Sequence, residues 1–131
     1  LRHVDEPGGI TVFSRRVVER LVSDGRDVDY HLLYRDDSQL AVLEEVPGNH
    51  VVLPSSSKLV WDQFSVPRYA AQNDLDLIVN LKLSVPLASR VPSLFCLPSV
   101  AHYALPELFP LLDRWYTRLT LPLYCRKAKG I

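Results

Sequence analysis

The sequence predicts an α/β fold, an open sheet with helices layered against it. Three observations lead there. Helix-like and strand-like patterns follow one another in the order helix, strand, strand, helix, strand, strand, helix, which is the ordering of a layered α/β sheet. The short runs around Ile78 and Phe95 are apolar throughout rather than alternating, as strands buried on both faces are. At 131 residues and 47% hydrophobic side chains, the chain has the material for one domain with a core.

The elements come in this order. Pro7-Gly8-Gly9 signals a turn, and a helix follows in which Ile10, Phe13, Val17 and Leu21 recur at spacings of three and four, widened by Val18 and Val22. Arg15, Arg16, Glu19 and Arg20 occupy its other side. Asp24-Gly25 supplies the stop, with Gly25 suited to a left-handed position after the last turn. Val28 to Tyr34 alternates, with Val28, Tyr30 and Leu32 on one face, and predicts a strand. Leu40–Val46 and His50–Leu53 predict two short strands separated by the hairpin-like break Pro47-Gly48-Asn49. Lys58 to Gln72 predicts a helix with a kink or break at Pro67, because proline removes an amide donor and clashes with the preceding turn. Leu75–Asn80 and Ser93–Leu97 predict buried strands. Pro106 to Lys129 predicts a long helix whose apolar side carries Leu108, Leu111, Leu112, Trp115, Tyr116, Leu119 and Leu123.

Charge and cysteine usage exclude several function classes. Fifteen basic side chains balance fifteen acidic ones, without the basic surplus that a nucleic-acid partner requires. No apolar run approaches the roughly 18 residues of a membrane span. The leading LRHVDEPGG lacks the apolar stretch of a secretory signal. Cys96 and Cys125 are too few for a disulfide scaffold and lack metal or redox spacing, so two buried thiols in a cytosolic protein are expected. The chain contains no Gly-x-x-x-x-Gly-Lys phosphate loop, no Gly-x-Gly-x-x-Gly dinucleotide fingerprint and no Gly-x-Ser-x-Gly elbow. His3, His31, His50 and His102 form no metal-spaced pair, and no metal site is expected.

Two features carry chemistry. Gly8-Gly9 lies directly before a helix, where glycine lets a phosphate or sugar approach the backbone and the helix start offers unpaired amides and a positive dipole end. Val100-Ala101-His102-Tyr103 follows a buried strand, and an ionisable residue leaving the carboxyl end of such a strand faces the ligand crevice of an open α/β sheet. Each also has a plain reading, as a turn glycine and as a satisfied surface or core histidine.

In this order, these residues resemble the amino-terminal domain of family 4 glycosyltransferases. Gly8-Gly9-Ile10 and the helix with Phe13 and Arg16 resemble that family's Gly-Gly-Ile loop and first helix. Trp61-Asp62-Gln63 with Pro67-Arg68 resembles its Trp and Leu-Pro segment. Asn73 to Ile78 resembles its Asp-hydrophobic strand, and Ser84-Val85-Pro86-Leu87 the loop after it. Val100-Ala101-His102 resembles the strand-end histidine; Pro106-Glu107, Arg114-Trp115-Tyr116 and Arg126-Lys127-Ala128 resemble the helix beyond. The resemblance covers about residues 7 to 129 and implies a Rossmann-like open sheet, the amino-terminal half of a GT-B fold.

It further implies a retaining transferase that moves a sugar from a nucleotide-sugar donor to a glycan, lipid-linked or small-molecule acceptor, without a metal or other cofactor. Gly8 and Gly9 would lie against the donor diphosphate and the transferred sugar, and His102 would act at the reacting centre. The family's pair of glutamates eight positions apart, in its donor-binding domain, has no counterpart: Glu6, Glu19, Glu44, Glu45 and Glu107 lead to Ser14, Asp27, Val52, Leu53 and Trp115. Tyr103 follows the histidine where the family often has Asp or Gly. The strand expected ahead of Gly8-Gly9 is short or missing, because LRHVDEP has too few apolar residues. The expectation is therefore a single partial domain, the acceptor side of a longer enzyme, inactive alone.

A non-catalytic carbohydrate or nucleotide-sugar binding remnant is the alternative. A response-regulator-like domain fits less well, since Asp36-Asp37 lacks a second acidic site and a late lysine. The location expected is cytoplasmic. Arg114, Arg118, Arg126, Lys127 and Lys129 beside Trp115 and Tyr116 add an expected peripheral contact of the last helix with the inner face of a membrane, set against a plain solvated basic face.

Overall fold

A computed structural model of the chain describes residues 9–25, 27–37, 40, 43–97 and 101–130; for residues 9–11, 101–102 and 106 it describes the backbone. The chain divides into two compact units, residues 1–61 and 62–131. The stub of a first strand and Gly8 lie outside the described residues.

The first unit holds helix α1 (Gly9–Asp24) and strands β1 (His31–Tyr34) and β2 (Asn49–Val52). In α1 the inward side runs through Ser14 and Val18, while Phe13 and Leu21, expected on the apolar stripe, are exposed. The helix closes with the Gly25 amide donating to the Leu21 carbonyl at 2.9 Å. Gly25 does not adopt the left-handed conformation expected of it; Asp27 does, at φ 64°. The missing side chain of Gly25 leaves room for the Tyr30 hydroxyl, which, from the place a Cβ would take, donates to the Leu21 carbonyl at 2.8 Å.

β1 and β2 are parallel, with His31 opposite Asn49 and Tyr34 opposite Val52. The strand expected at Leu40–Val46, and with it the hairpin-like break at Pro47-Gly48-Asn49, is corrected: residues 43–46 form turns. A parallel partner requires a crossover, and the residues between β1 and β2 supply it. Leu43 and Val46 take part in that crossover as single turns, their amides donating to Leu40 and Leu43 carbonyls at 3.1 and 2.9 Å, and both side chains are buried. Gly48 sits at φ 145°, where its missing Cβ also leaves room for the Tyr30 carbonyl.

From Lys58 to Gln72 the chain is helical in three pieces: α2 (Lys58–Val60), a π-helical turn (Trp61–Ser65) and α3 (Val66–Gln72). Pro67 therefore neither ends nor breaks the helix. It stands in the first turn of α3, where an amide donor is dispensable, and the wider turn before it absorbs the mismatch. The helix stops at Asn73, whose amide and side chain both donate to the Tyr69 carbonyl, followed by Asp74 at φ 52°.

The second unit contains α3, β3 (Ile78–Asn80), β4 (Ser93–Phe95), α4 (Ala101–Ala104), a 3₁₀ turn (Pro106–Leu108) and α5 (Leu111–Lys127). β3 and β4 are parallel, Ile78 opposite Ser93 and Asn80 opposite Phe95. After α5 the chain returns to the same sheet: Gly130 bridges Leu94 in parallel, and the Lys129 amide donates to the Ser93 carbonyl at 2.8 Å. Pairing thus runs from β3 to β4 to Gly130, a parallel progression with helix in the last connection. β3 is buried on one face only, Ile78 inward and Val79 45% exposed, so the expectation of two-sided burial fails there. The core gathers Val85, Phe95, Leu121 and Tyr124. The inward side of α5 is Thr117, Leu121 and Tyr124, opposite to the apolar side expected from the sequence.

Candidate functional site

In a parallel sheet the carboxyl ends of the strands share one edge, and in open α/β sheets that edge carries the ligand crevice. In the second unit, two segments leave this edge: residues 81–87 after β3 and Cys96–Leu97 after β4. His102 is the second residue of α4. Its backbone stands seven positions beyond the end of β4; its side chain lies outside the described residues.

The 81–87 segment is held from both ends. Asn80 Oδ1 accepts the Lys82 amide at 3.2 Å, and the Ser84 amide donates to the Lys82 carbonyl at 2.8 Å. The π turn then clamps it. Gln63 Nε2 donates to the Val85 carbonyl at 3.0 Å while Gln63 Oε1 accepts the Leu87 amide at 2.9 Å, so one side-chain amide substitutes for a strand neighbour. Ser84 Oγ donates to Asp62 Oδ2 at 3.0 Å, and both residues are buried. A π turn points consecutive side chains differently from an α turn, which suits two adjacent residues gripping one loop.

Tyr124 extends the polar cluster. Its hydroxyl lies 3.0 Å from that of Tyr116. Burial pushes the Tyr124 phenol well above the ordinary tyrosine range, with the Tyr116 hydrogen bond and the Asp62 charge acting in the same direction. This phenol stays protonated and acts as a hydrogen-bonding group, not as an acid or base near neutrality. Asp62, Gln63 and Ser84 were visible in the sequence only as members of the family-like segments. No spacing rule marks a helix amide that clamps a loop 22 residues away.

Gly9 is the first residue of α1 and belongs to the other unit. Gly9 opens the described part of α1, and Gly8 lies outside the described residues. Gly9 and His102 lie in different units.

The first unit offers two further polar arrangements. Asn49 Nδ2 donates to Asp29 Oδ1 at 2.8 Å, and His31 Nε2 stands 3.4 Å from Asp29 Oδ2. This trio lies at the amino ends of β1 and β2, away from the ligand edge, and ties the two strand starts together. Tyr34 and His50 stack with ring centroids 5.8 Å apart; Tyr34 Oη lies 2.9 Å from His50 Nδ1, and His50 Nε2 lies 2.8 Å from the Val46 carbonyl. With the carbonyl accepting, Nε2 carries the proton and Nδ1 accepts from the phenol. Burial raises the Tyr34 phenol to about 12. Both histidine nitrogens are engaged, so His50 serves the fold rather than a ligand.

A shallow groove of about 280 Å³ lies between α1 and the crossover, lined by Arg15, Glu19, Val22, Leu43, Glu45 and Pro47 among others. Arg15 Nε donates to Glu19 Oε1 at 2.7 Å and holds that carboxyl below its ordinary value. It borders the middle and last turns of α1, not the Gly9 end. Among the described residues no three His, Cys, Asp or Glu side chains gather as a metal site. Cys96 is half-buried and Cys125 exposed, which corrects the expectation of two buried thiols. No helix among the described residues is long and apolar enough to cross a membrane.

No protein-family model, no curated protein and no solved structure matches this chain.

Proposed function

We propose that the chain is the acceptor-side half of a retaining sugar transferase of the family 4 type, working with a nucleotide-sugar donor and a glycan or lipid-linked acceptor. The observation that carries the reading is the β3·β4 edge. The clamped 81–87 segment leaves the carboxyl end of β3, and α4, with His102, is the next helix in the sequence after β4, the parallel neighbour of β3. A reacting sugar needs rigid walls at that edge, and the Gln63 and Asp62 contacts supply them from outside the loop itself.

In this reading the two glycines and the histidine divide the work by charge. The transition state places positive charge on the sugar ring and negative charge on the departing diphosphate. Free amides at the start of α1, beside Gly8 and Gly9, favour the diphosphate, and the missing side chains let it approach the backbone. His102 hydrogen-bonds the sugar at the reacting carbon's side. The groups that grip the nucleotide belong to a donor-binding domain, so one half-cleft neither excludes water nor closes. The expected result is no turnover of UDP- or GDP-sugars by the 131-residue chain; turnover by this chain alone would end the half-cleft reading.

A further inference from the structure

The strongest unabsorbed feature is the outward side of α5. With Thr117, Leu121 and Tyr124 turned inward, the opposite side presents Leu111, Leu112, Trp115, Leu119 and Leu123, exposed by 67, 83, 66, 64 and 48%. At 100° per residue these side chains, with Pro122 and Tyr116, fill an arc of about 140° whose only charged member, Arg126, stands near its midline close to the carboxyl end of the helix. Arg118 borders one side of the arc and Lys127 the other. Leu105 and Leu108, also exposed, extend the apolar surface beyond the helix start. Singly exposed leucines are ordinary; a continuous apolar helix face turned to solvent is not.

The charge around this face differs from that of the whole chain. Residues 105–130 carry five basic side chains, Arg114, Arg118, Arg126, Lys127 and Lys129, against Glu107 and Asp113, in a protein whose total is balanced. On the helix, Asp113 projects away from the apolar arc, Arg114 Nε donates to the Phe109 carbonyl at 2.9 Å and Lys127 Nζ to the Ser89 carbonyl at 2.8 Å. The face is therefore apolar and aromatic, with Arg118 at one edge and Arg126 near its carboxyl end. We propose that α5 is an interfacial anchor that lies flat on an anionic lipid surface, its leucines and Trp115 in the acyl boundary and Arg118 and Arg126 among the headgroups. The helix has the composition for this and not for spanning. A second copy of the chain is a poorer occupant, since two such faces would bring their arginines together. The inference stands on α5 alone and is independent of the sugar-transfer reading.

The test uses the 131-residue chain and vesicles of phosphatidylcholine with or without about one third phosphatidylglycerol. The chain is expected to sediment with the anionic vesicles, and less so as salt rises from about 0.1 to about 0.5 M. Leu112→Gln with Leu119→Gln is expected to weaken partitioning about a hundredfold, and Arg118→Glu with Arg126→Glu about tenfold or more. All four positions are exposed, and circular dichroism checks that the helix persists. A second readout leaves the face untouched: in Trp61→Phe, the remaining Trp115 emission should shift to the blue on anionic vesicles and be quenched by brominated acyl chains. Failure to bind anionic vesicles overturns the proposal. So does binding that the leucine pair leaves unchanged, or a lipid-free dimer that the leucine pair dissociates.

Discussion

In the 1–61 unit the long helix turns charge outward, whereas in the 62–131 unit it turns leucine and tryptophan outward. Along α1, Arg15 and Arg16 pair with Glu19, and Arg20 pairs with Asp24 at 2.7 Å, an arrangement that belongs in water. Along α5 the solvated side is apolar, and the inward side uses a threonine and a tyrosine hydroxyl beside one leucine. The interiors differ in the same sense. The first unit sets a half-buried His50 against the buried Tyr34, with hydrogen bonds at both ring nitrogens. The second buries a carboxylate, Asp62, held by Ser84. An amphipathic pattern thus fixes that a helix has two sides without fixing which one meets the rest of the chain.

The largest difference is expected from truncating the two sides of α5 in turn. Leu121 is 8% exposed and touches the Val85, Phe95 and Tyr124 core. Leu121→Ala is expected to cost about 2–5 kcal/mol in urea unfolding, and Leu119→Ala, two positions away, within about 0.5 kcal/mol. If Leu119→Ala costs as much as Leu121→Ala, the outward assignment is wrong and the face is covered.

This inversion also shows what the sequence could convey. Periodicity located α1, α5 and the helix from Lys58 to Gln72, because the spacing of apolar residues is a local property. Of the strand expected from Val28 to Tyr34 with Val28, Tyr30 and Leu32 on one face, Leu32 is buried in β1, whereas Val28 and Tyr30 precede a strand that begins at His31. Periodicity misassigned the side of α5, since seven apolar side chains outweigh Thr117, Leu121 and Tyr124 in any count, and only packing shows that the smaller set points inward. It read Leu40–Val46 as a strand because an apolar run looks alike in a strand and in a buried turn; the bonds from the Leu43 and Val46 amides to the carbonyls three residues back show turns. At the site, His102 was legible as a residue beyond a strand end. The Gln63 and Asp62 clamps were not, because their meaning lies in loop contacts at long sequence separation.

The second comparison, of the buried polar groups, sharpens with Ser84→Ala. Removing this hydroxyl leaves Asp62 Oδ2 buried without that donor, a cost of about 1–3 kcal/mol because the acceptor is a carboxylate. Gln63→Leu should loosen the 81–87 segment as well, read as faster amide exchange at Leu87. If Ser84→Ala is neutral, the carboxylate is not held by Ser84 and the clamp rests on Gln63 alone.

Tyr34→Phe is the matching substitution in the first unit and should cost less, about 1 kcal/mol, since the acceptor left unpaired is neutral His50 Nδ1. It has a pH signature. Burial raises the phenol from 10.0 to about 12, so the folded state favours the protonated form. That contribution is whole below pH 10 and is lost as pH rises through about 12. The stability gap between the parent chain and Tyr34→Phe should therefore narrow over that interval. A gap that stays constant, or widens, contradicts the burial of this hydroxyl.

The smallest effect is expected where α1 ends. Gly25→Ala puts a methyl where the Tyr30 hydroxyl sits, so the tyrosine must swing away and surrender its 2.8 Å bond to the Leu21 carbonyl. That loss, about 1 kcal/mol, is partly offset by the lower backbone entropy of alanine in the unfolded chain, about 0.4–1 kcal/mol. The net destabilisation should be a few tenths of a kcal/mol. The sign then depends on Tyr30 alone, because Gly25 does not have a positive φ. In a Tyr30→Ala background the clash and the bond are both gone, and Gly25→Ala should become stabilising. If it destabilises equally in both backgrounds, the glycine is required by the backbone at the helix end and not by the ring that leans across it.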